Sequence, residues 1–431
     1  MPTFRGLTAQ RSTANKTREI MKYFVLVPDG AGDEKIEELG DKTPLDVANM
    51  PTVTELAQKG KVGSVKTVPD GIAPGSDAAN LSVMGYDPKV YLTGRSPLEA
   101  ASIGIDMKDT DVSFRVNIIT VSDRGEPETA YEDLEIVDHS SGDITTEEAD
   151  VLIRDVAKKL SENPKYSSVK FYTGVSYRHC MIMENGSVSG KFTPPHDVLG
   201  QITGEHLPKG DNSDLILSIM KESYEILKNH PVNLARIEKG LRPGNTMWIW
   251  GQGKKPALSN FTEKYHITGS AISAVDLIKG IALCAGLDSI DVEGATGNLH
   301  TNYTGKANAA IEEFKKGKDF VYMHVEAPDE CGHQGDVEGK VKCLEDIDEK
   351  VLKPVVEYLK STGEPFKVLV VPDHKTPIYL RTHTSVPVPY VIYRSDDERS
   401  VDESREFTED SGQTGEYFAN GYQLADYFFR K

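Results

Sequence analysis

The chain has 431 residues, 38% hydrophobic and 27% charged, which is an ordinary soluble balance long enough for two or three domains with full cores. Its formal net charge of -18 excludes DNA and anionic membrane as partners, because phosphate contacts need clustered Lys and Arg, and it leaves a small anion in a local basic pocket open. The four cysteines, Cys180, Cys284, Cys331 and Cys343, lack CxxC spacing and no apolar run nears the roughly 20 residues of a membrane span, so reduced thiols and a cytoplasmic location are expected.

Residues 1–20 carry Arg5, Arg11, Lys16 and Arg18 against the single acid Glu19 in a Ser/Thr-rich background. That fits an organelle-targeting segment, or an upstream start ahead of 'MKYFVLVPDG', and the segment is set apart from the fold. 'YFVLVPDG' then reads as a buried strand over Tyr23–Val27, stopped by Pro28, Asp29 and Gly30. In 'PDGIAPGSDAANLSVMGYDP', Ser76 opens a short helix, and N-cap and nucleophile are compatible readings of it. A second helix, 'SPLEAASIG', follows Arg95.

The texture changes at about residue 106. 'DVSFRVNIITV' and 'SVKFYTGVSYRHCMIME' read as alternating strands and 'TTEEADVLIRDVAKKLSE' as a helix, which predicts an α+β domain inserted over residues 106–240. At 'EKGLRPGN' the pattern returns to α/β, with 'TMWIWGQG' assigned to the main domain, here residues 21–105 and 241–431. 'SAISAVDLIKGIALCAG' and 'KVKCLEDIDEKVLKPVVEYLK' read as helices. Strands are expected at Phe320–Val325, ahead of Asp329, and at Lys367–Val371, ahead of Asp373 and His374. Strands alternating with helices predict a mostly parallel sheet covered on both faces, with ligands gathering past the carboxyl ends of its strands.

Asp329 and His333 lie four apart, on one face of a helical turn. Asp373 and His374 follow a second strand, Asp29 follows a third, and His383 precedes the strand-like 'VPVPYVIY'. Carboxylate with imidazole is a donor set for Zn²⁺ or Mn²⁺, and six such donors exceed the three protein ligands of one catalytic zinc. Two ions are expected, a centre suited to in-line displacement at phosphorus. A metal would lower the pKa of the Ser76 hydroxyl and remove the need for a histidine base.

Together 'VPDGAGDEKIEELGDKTPLDVAN', 'PGSDAANLSVMGYDP', 'TGRSPLEAAS', 'FRVNIITV', 'HVEAPDECGHQGD' and 'VPDHKTP' resemble the cofactor-independent phosphoglycerate mutases, in the archaeal-type branch of the alkaline phosphatase superfamily. The resemblance runs over nearly the whole chain from Met21 and implies an alkaline-phosphatase-like α/β fold whose inserted domain closes over a small phosphorylated substrate. It implies one metal on Asp29, Ser76, Asp373 and His374 and a second on Asp329, His333 and His383, with Mn²⁺ preferred and Mg²⁺, Zn²⁺ or Co²⁺ as alternatives. Substrate phosphate and carboxylate need cations, and Arg95, Arg115 and Arg178 with His179 are the candidates. Arg115 and Arg178 lie in apolar strand-like runs, where an unpaired guanidinium is costly. Asn80, four past Ser76, either orients the helix start or touches the phosphate. Two other readings stay open: a homoserine kinase, a function proposed for members of the same branch, and a metal-binding protein without turnover.

Overall fold

The computed structural model describes residues 21–126 and 128–430, so the reading of residues 1–20 falls outside the described residues. Its centre is an eight-stranded sheet built on Lys22–Pro28. That strand alternates perfectly between two cores. Phe24 and Leu26 pack with Val321, Met323, Val368 and Val370 on one face, and Tyr23, Val25 and Val27 pack with Tyr322, Leu369 and Val371 on the other. Burial on both faces requires the near-continuous apolar run seen in 'YFVLV', and each such side chain contributes about 1.5–3 kcal/mol.

Lys22–Pro28 pairs in parallel with Phe320–Val325 on one side and Phe366–Val370 on the other. Gly269–Ile272 and Asp288–Ile290 extend the parallel run beyond Phe320–Val325. Past Phe366–Val370 comes Val388–Arg394, antiparallel to both its neighbours, then Lys61–Val65 and Glu416–Phe418. Helices cover both faces: Pro51–Lys59, Tyr303–Lys315 and Val337–Ile347 on one, and Ser76–Val83, Asp276–Cys284 and Gly421–Phe429 on the other. The α/β sandwich is thus the one the sequence predicts. Among the described residues, no helix is long and apolar enough to cross a membrane.

Two local expectations need correction. 'SAISAVDLIKGIALCAG' is a helix only from Asp276; its beginning, with Gly269, is a strand, because one more parallel partner for Phe320–Val325 outweighs weak local helix preference. The strand Thr246–Lys254, assigned above to the main domain, pairs antiparallel with Val112–Ser122 in the second sheet. The end of the inserted segment moves from about residue 240 to beyond Lys254, since alternation marks a strand without naming its partner.

That second sheet is antiparallel, with Val112–Ser122 contacting Glu135–Asp138, Arg178–Met183 and Thr246–Lys254, and Val169–Tyr172 at its edge. The helices Thr146–Ser161 and Ser213–Leu227 bury Leu152, Ile153, Ile216 and Ile219 against Phe114, Val116, Met247 and Ile249. The two layers meet along the short helix Ser96–Ser102, which lies against Asp276–Cys284. Gly280 makes that approach possible, because a Cβ there would stand 1.9 Å from the Leu98 carbonyl oxygen.

Candidate active site

Every expected metal ligand lies at the carboxyl edge of the large sheet. Asp29 directly follows Lys22–Pro28, and Asp373 and His374 follow Phe366–Val370. Asp329 and His333 are one turn apart on the helix Ala327–Gln334, just past Phe320–Val325. His383 arrives from the other direction: Val388–Arg394 runs antiparallel, so the segment before it begins at the same edge.

The side chains converge into two donor groups. Asp329, His374 and His383 form one and Asp29, His324 and Asp373 the other, each with ligand atoms within 4.8 Å of one another. His374 sits between the groups, its Nε2 3.5 Å from Asp29 Oδ1 and 3.4 Å from Asp373 Oδ2. His333 Nε2 lies 2.9 Å from His383 Nε2 and 3.2 Å from Asp329 Oδ2. These donors fit divalent cations: three buried carboxylates face imidazole nitrogens, and Asp29 Oδ1 and His324 Nε2 are buried without any hydrogen-bond partner.

Neighbouring groups fix which nitrogens are free to donate. The Thr376 hydroxyl donates to Asp329 Oδ1, so its lone pairs face His374 Nδ1 at 3.2 Å and leave His374 Nε2 turned toward the acids. His333 Nδ1 lies 2.9 Å from the Arg381 carbonyl, which likewise directs Nε2 inward. Gly30 N–H donates to Asp373 Oδ1 at 3.0 Å. Gly30 has φ +62°, and a Cβ there would stand 2.6 Å from Thr376 Oγ1 and 2.7 Å from Asp329 Cα.

Electrostatics follow from this crowding. Burial, then the charges of Asp373 and Asp329, hold the Asp29 carboxyl well above the usual range, a repulsion that a cation relieves. Burial also acts to raise Asp329, but its bonds to His333 and His383 win and hold it low. The Asp329 bond raises His333 to about 9, whereas burial lowers His324 to about 4 and keeps it neutral.

Ser76 is the first residue of the helix Ser76–Val83, and Gly75 is its N-cap. The capping expectation therefore fails: the Ser76 side chain makes no cap bond, and its Oγ lies 3.2 Å from His374 Nε2. Asn80 is fully buried behind it, donating to Ser76 O at 2.9 Å and Asp373 Oδ2 at 2.8 Å and accepting from Tyr322 Oη at 2.6 Å. These bonds tie the start of the helix to Asp373 and Tyr322.

Arg95, Arg115, Arg178 and His179 line one cavity of about 350 Å³ between the two layers, with Glu99, Asp276 and Glu326. Glu326 ties the cavity to the donor cluster, standing three residues before Asp329. Arg115 is partly buried, 3.0 Å from Glu99 through Nε and stacked 4.5 Å over Trp250. Burial lowers its pKa; Glu99 opposes this, and the charges of Arg95 and Arg178 add to the lowering. Arg178 is exposed, contrary to the expectation of a buried guanidinium, because it opens its strand at the cavity rim. Neither Arg95 nor Arg178 pairs with a carboxylate among the described residues. His179 Nδ1 accepts Gly174 N–H at 3.1 Å, and its buried Nε2 has no partner, leaving a donor for a ligand in the cavity. Sequence reasoning missed His324, Thr376, Trp250 and Glu326. His324 sits inside the apolar run 'FVYMHV', where its neighbours give no polar signal.

The chain is similar to known proteins over most of its length. The family profile described as 2,3-bisphosphoglycerate-independent phosphoglycerate mutase matches residues 57–233. A Methanosarcina barkeri protein named 2,3-bisphosphoglycerate-independent phosphoglycerate mutase is 46% identical, over 92% of this chain and 96% of its own length. A Geobacter sulfurreducens protein named as a probable member is 44% identical over 94% and 99%. Among solved structures, the cofactor-independent phosphoglycerate mutase of Thermoplasma acidophilum superposes with TM-score 0.63 at 27% identity, covering 94% of this chain and 98% of that one. A Pyrococcus horikoshii protein superposes with TM-score 0.76 at 27% identity, covering 95% and 96%. The chain belongs to the 2,3-bisphosphoglycerate-independent phosphoglycerate mutase family.

Proposed function

We propose that this chain interconverts 3-phosphoglycerate and 2-phosphoglycerate through a phosphoserine on Ser76, at a site holding two divalent ions, Mn²⁺ foremost. The observation that carries the reading is the placement of the Ser76 hydroxyl 3.2 Å from His374 Nε2, among metal-type donors that Glu326 links to an arginine-lined cavity. Asp29, Ser76, Asp373 and His374 would hold one ion, and Asp329, His333 and His383 would hold the other. Bound there, the ions lower the pKa of the serine hydroxyl and neutralise charge on the transferring phosphoryl group.

The chain's own residues do the rest. Arg95, Arg115 and Arg178 grip the phosphate and carboxylate as charge-assisted donors, and His179 Nε2–H adds a neutral one. Ser76 Oγ forms the bond to phosphorus as the bond from phosphorus to the 3-oxygen breaks, and the serine proton passes to that departing oxygen. The freed glycerate reorients within the arginine clamp, its 2-oxygen takes the phosphoryl group, and that hydroxyl's proton returns to Ser76. The phosphoserine stands at the N-terminus of the helix Ser76–Val83, whose free N–H groups favour the anion. The second layer, through Arg178 and through Arg115 braced on Trp250, covers the glycerate and keeps water from hydrolysing the phosphoserine.

The test is turnover of 3-phosphoglycerate by Mn²⁺-loaded protein without added bisphosphoglycerate, with homoserine plus ATP as the paired control. Mutase turnover that disappears in Ser76→Ala supports the reading. Full turnover in Ser76→Ala, or phosphorylation of homoserine alone, overturns it.

A further inference from the structure

We infer that His324, through Nε2, is a direct ligand of the ion held by Asp29 and Asp373; the inference rests on the two-ion reading above. His324 is fully buried near the end of the central strand Phe320–Val325, paired in register with Val27, two residues before Asp29. One donor atom each from His324, Asp29 and Asp373 lies within 4.8 Å of the other two. Nε2 stands 3.0 Å from Asp29 Oδ2, yet it has no hydrogen-bond partner, and neither has Asp29 Oδ1. Two buried polar atoms without hydrogen-bond partners, in a group of three donors that includes two carboxylates, mark a place where a further group completes the coordination.

The surroundings of the imidazole are those of a metal ligand. Nδ1 lies 3.2 Å from Ser273 Oγ, which also accepts Val275 N–H at 3.0 Å. A Nδ1–H donated to that oxygen fixes the tautomer in which Nε2 carries the lone pair. Lys306 Nζ donates to the His324 carbonyl at 3.0 Å and anchors the backbone at the same point. Ser273 begins the segment that continues into Ala274, Val275 and Asp276 on the cavity wall, so the same residue that aims His324 also shapes the substrate cavity. The competing role is a Nε2–H that merely orients Asp29.

Two measurements on the full chain separate the roles. In crystals grown with Mn²⁺, anomalous scattering should place an ion about 2.0–2.2 Å from His324 Nε2, the ordinary metal–imidazole distance. In calorimetric titration of metal-free protein with Mn²⁺, His324→Gln should weaken one of two sites by more than about 100-fold, the ceiling for loss of an orienting partner. The glutamine retains a donor for Asp29, so a purely orienting role predicts affinity within that range and an ion beyond bonding distance of Nε2; either result overturns the inference. Failure of the wild-type protein to bind two ions would overturn the two-ion reading itself, a distinct result. If His324→Gln does not fold, the anomalous map of the wild-type chain decides alone.

Discussion

Replacing Asn80 by Ala distinguishes a residue that builds the site from one that touches substrate. The substitution keeps the helix Ser76–Val83 in good helix-forming residues but deletes three buried hydrogen bonds, to Ser76 O, Asp373 Oδ2 and Tyr322 Oη. A neutral bond contributes about 1 kcal/mol, one to a charged carboxylate about 1.5–3, and a buried hydroxyl left unsatisfied costs about 1–3, which sums to roughly 3.5–7 kcal/mol. Urea unfolding of the Mn²⁺-loaded protein should show a loss of about that size. Mn²⁺ affinity should fall about 10- to 100-fold, as expected when a partner that orients a ligand is removed. An Asn80 that only positions the helix start leaves the KM for 3-phosphoglycerate steady. Unchanged stability and metal affinity with a raised KM would refute this placement and return Asn80 to the substrate.

Other expectations follow from the same geometry. Arg95→Ala and Arg178→Ala should leave stability within about 0.5 kcal/mol, because both are exposed and unpaired with carboxylates among the described residues, yet lower kcat/KM by a factor of roughly 10 to 100. Gly30→Ala should cost about 2–4 kcal/mol in denaturant unfolding, since it adds a left-handed Cβ 2.6 Å from Thr376 Oγ1. In metal-free protein the Asp329–His333 pair sets a pH window. His333, raised to about 9, contributes stability that is full below its unfolded pKa near 6.5 and is lost as pH rises through 9, while Asp329, held low, contributes above about 4 and loses it in acid. Thermal unfolding of the chelated protein should therefore show its Tm falling between pH 6.5 and 9. Mn²⁺ binding should strengthen over that interval, because ligand and proton compete for Nε2.

Much of the site is legible in the sequence because polar donors stand where apolar runs stop. Asp29, Asp373 and His374 each follow such a run, and the strand-end rule for α/β sheets brings them to one edge before any contact is known. Asp329 and His333 are legible through their helical spacing. His324 is hidden by the opposite circumstance, an imidazole within an apolar strand that reads as core until the partner strand places Asp29 beside it. Thr376 and Trp250 act through contacts set by topology, which local pattern does not carry. The arginines show the limit of inferring burial from neighbours: both lie in apolar runs, but Arg115 is enclosed by Glu99 and Trp250 in mid-strand whereas Arg178 begins its strand in the open. The same limit explains Thr246–Lys254, whose alternation is plain and whose partner strand is more than a hundred residues away.

The most direct measurement of the central claim is mass spectrometry of the Mn²⁺-loaded protein quenched in acid during turnover of 3-phosphoglycerate. The account predicts one added phosphoryl group, located on the peptide containing Ser76, absent from Ser76→Ala and absent when the metal is chelated. Turnover at full rate with no modified Ser76 peptide, or phosphorylation of another residue in its place, would contradict it.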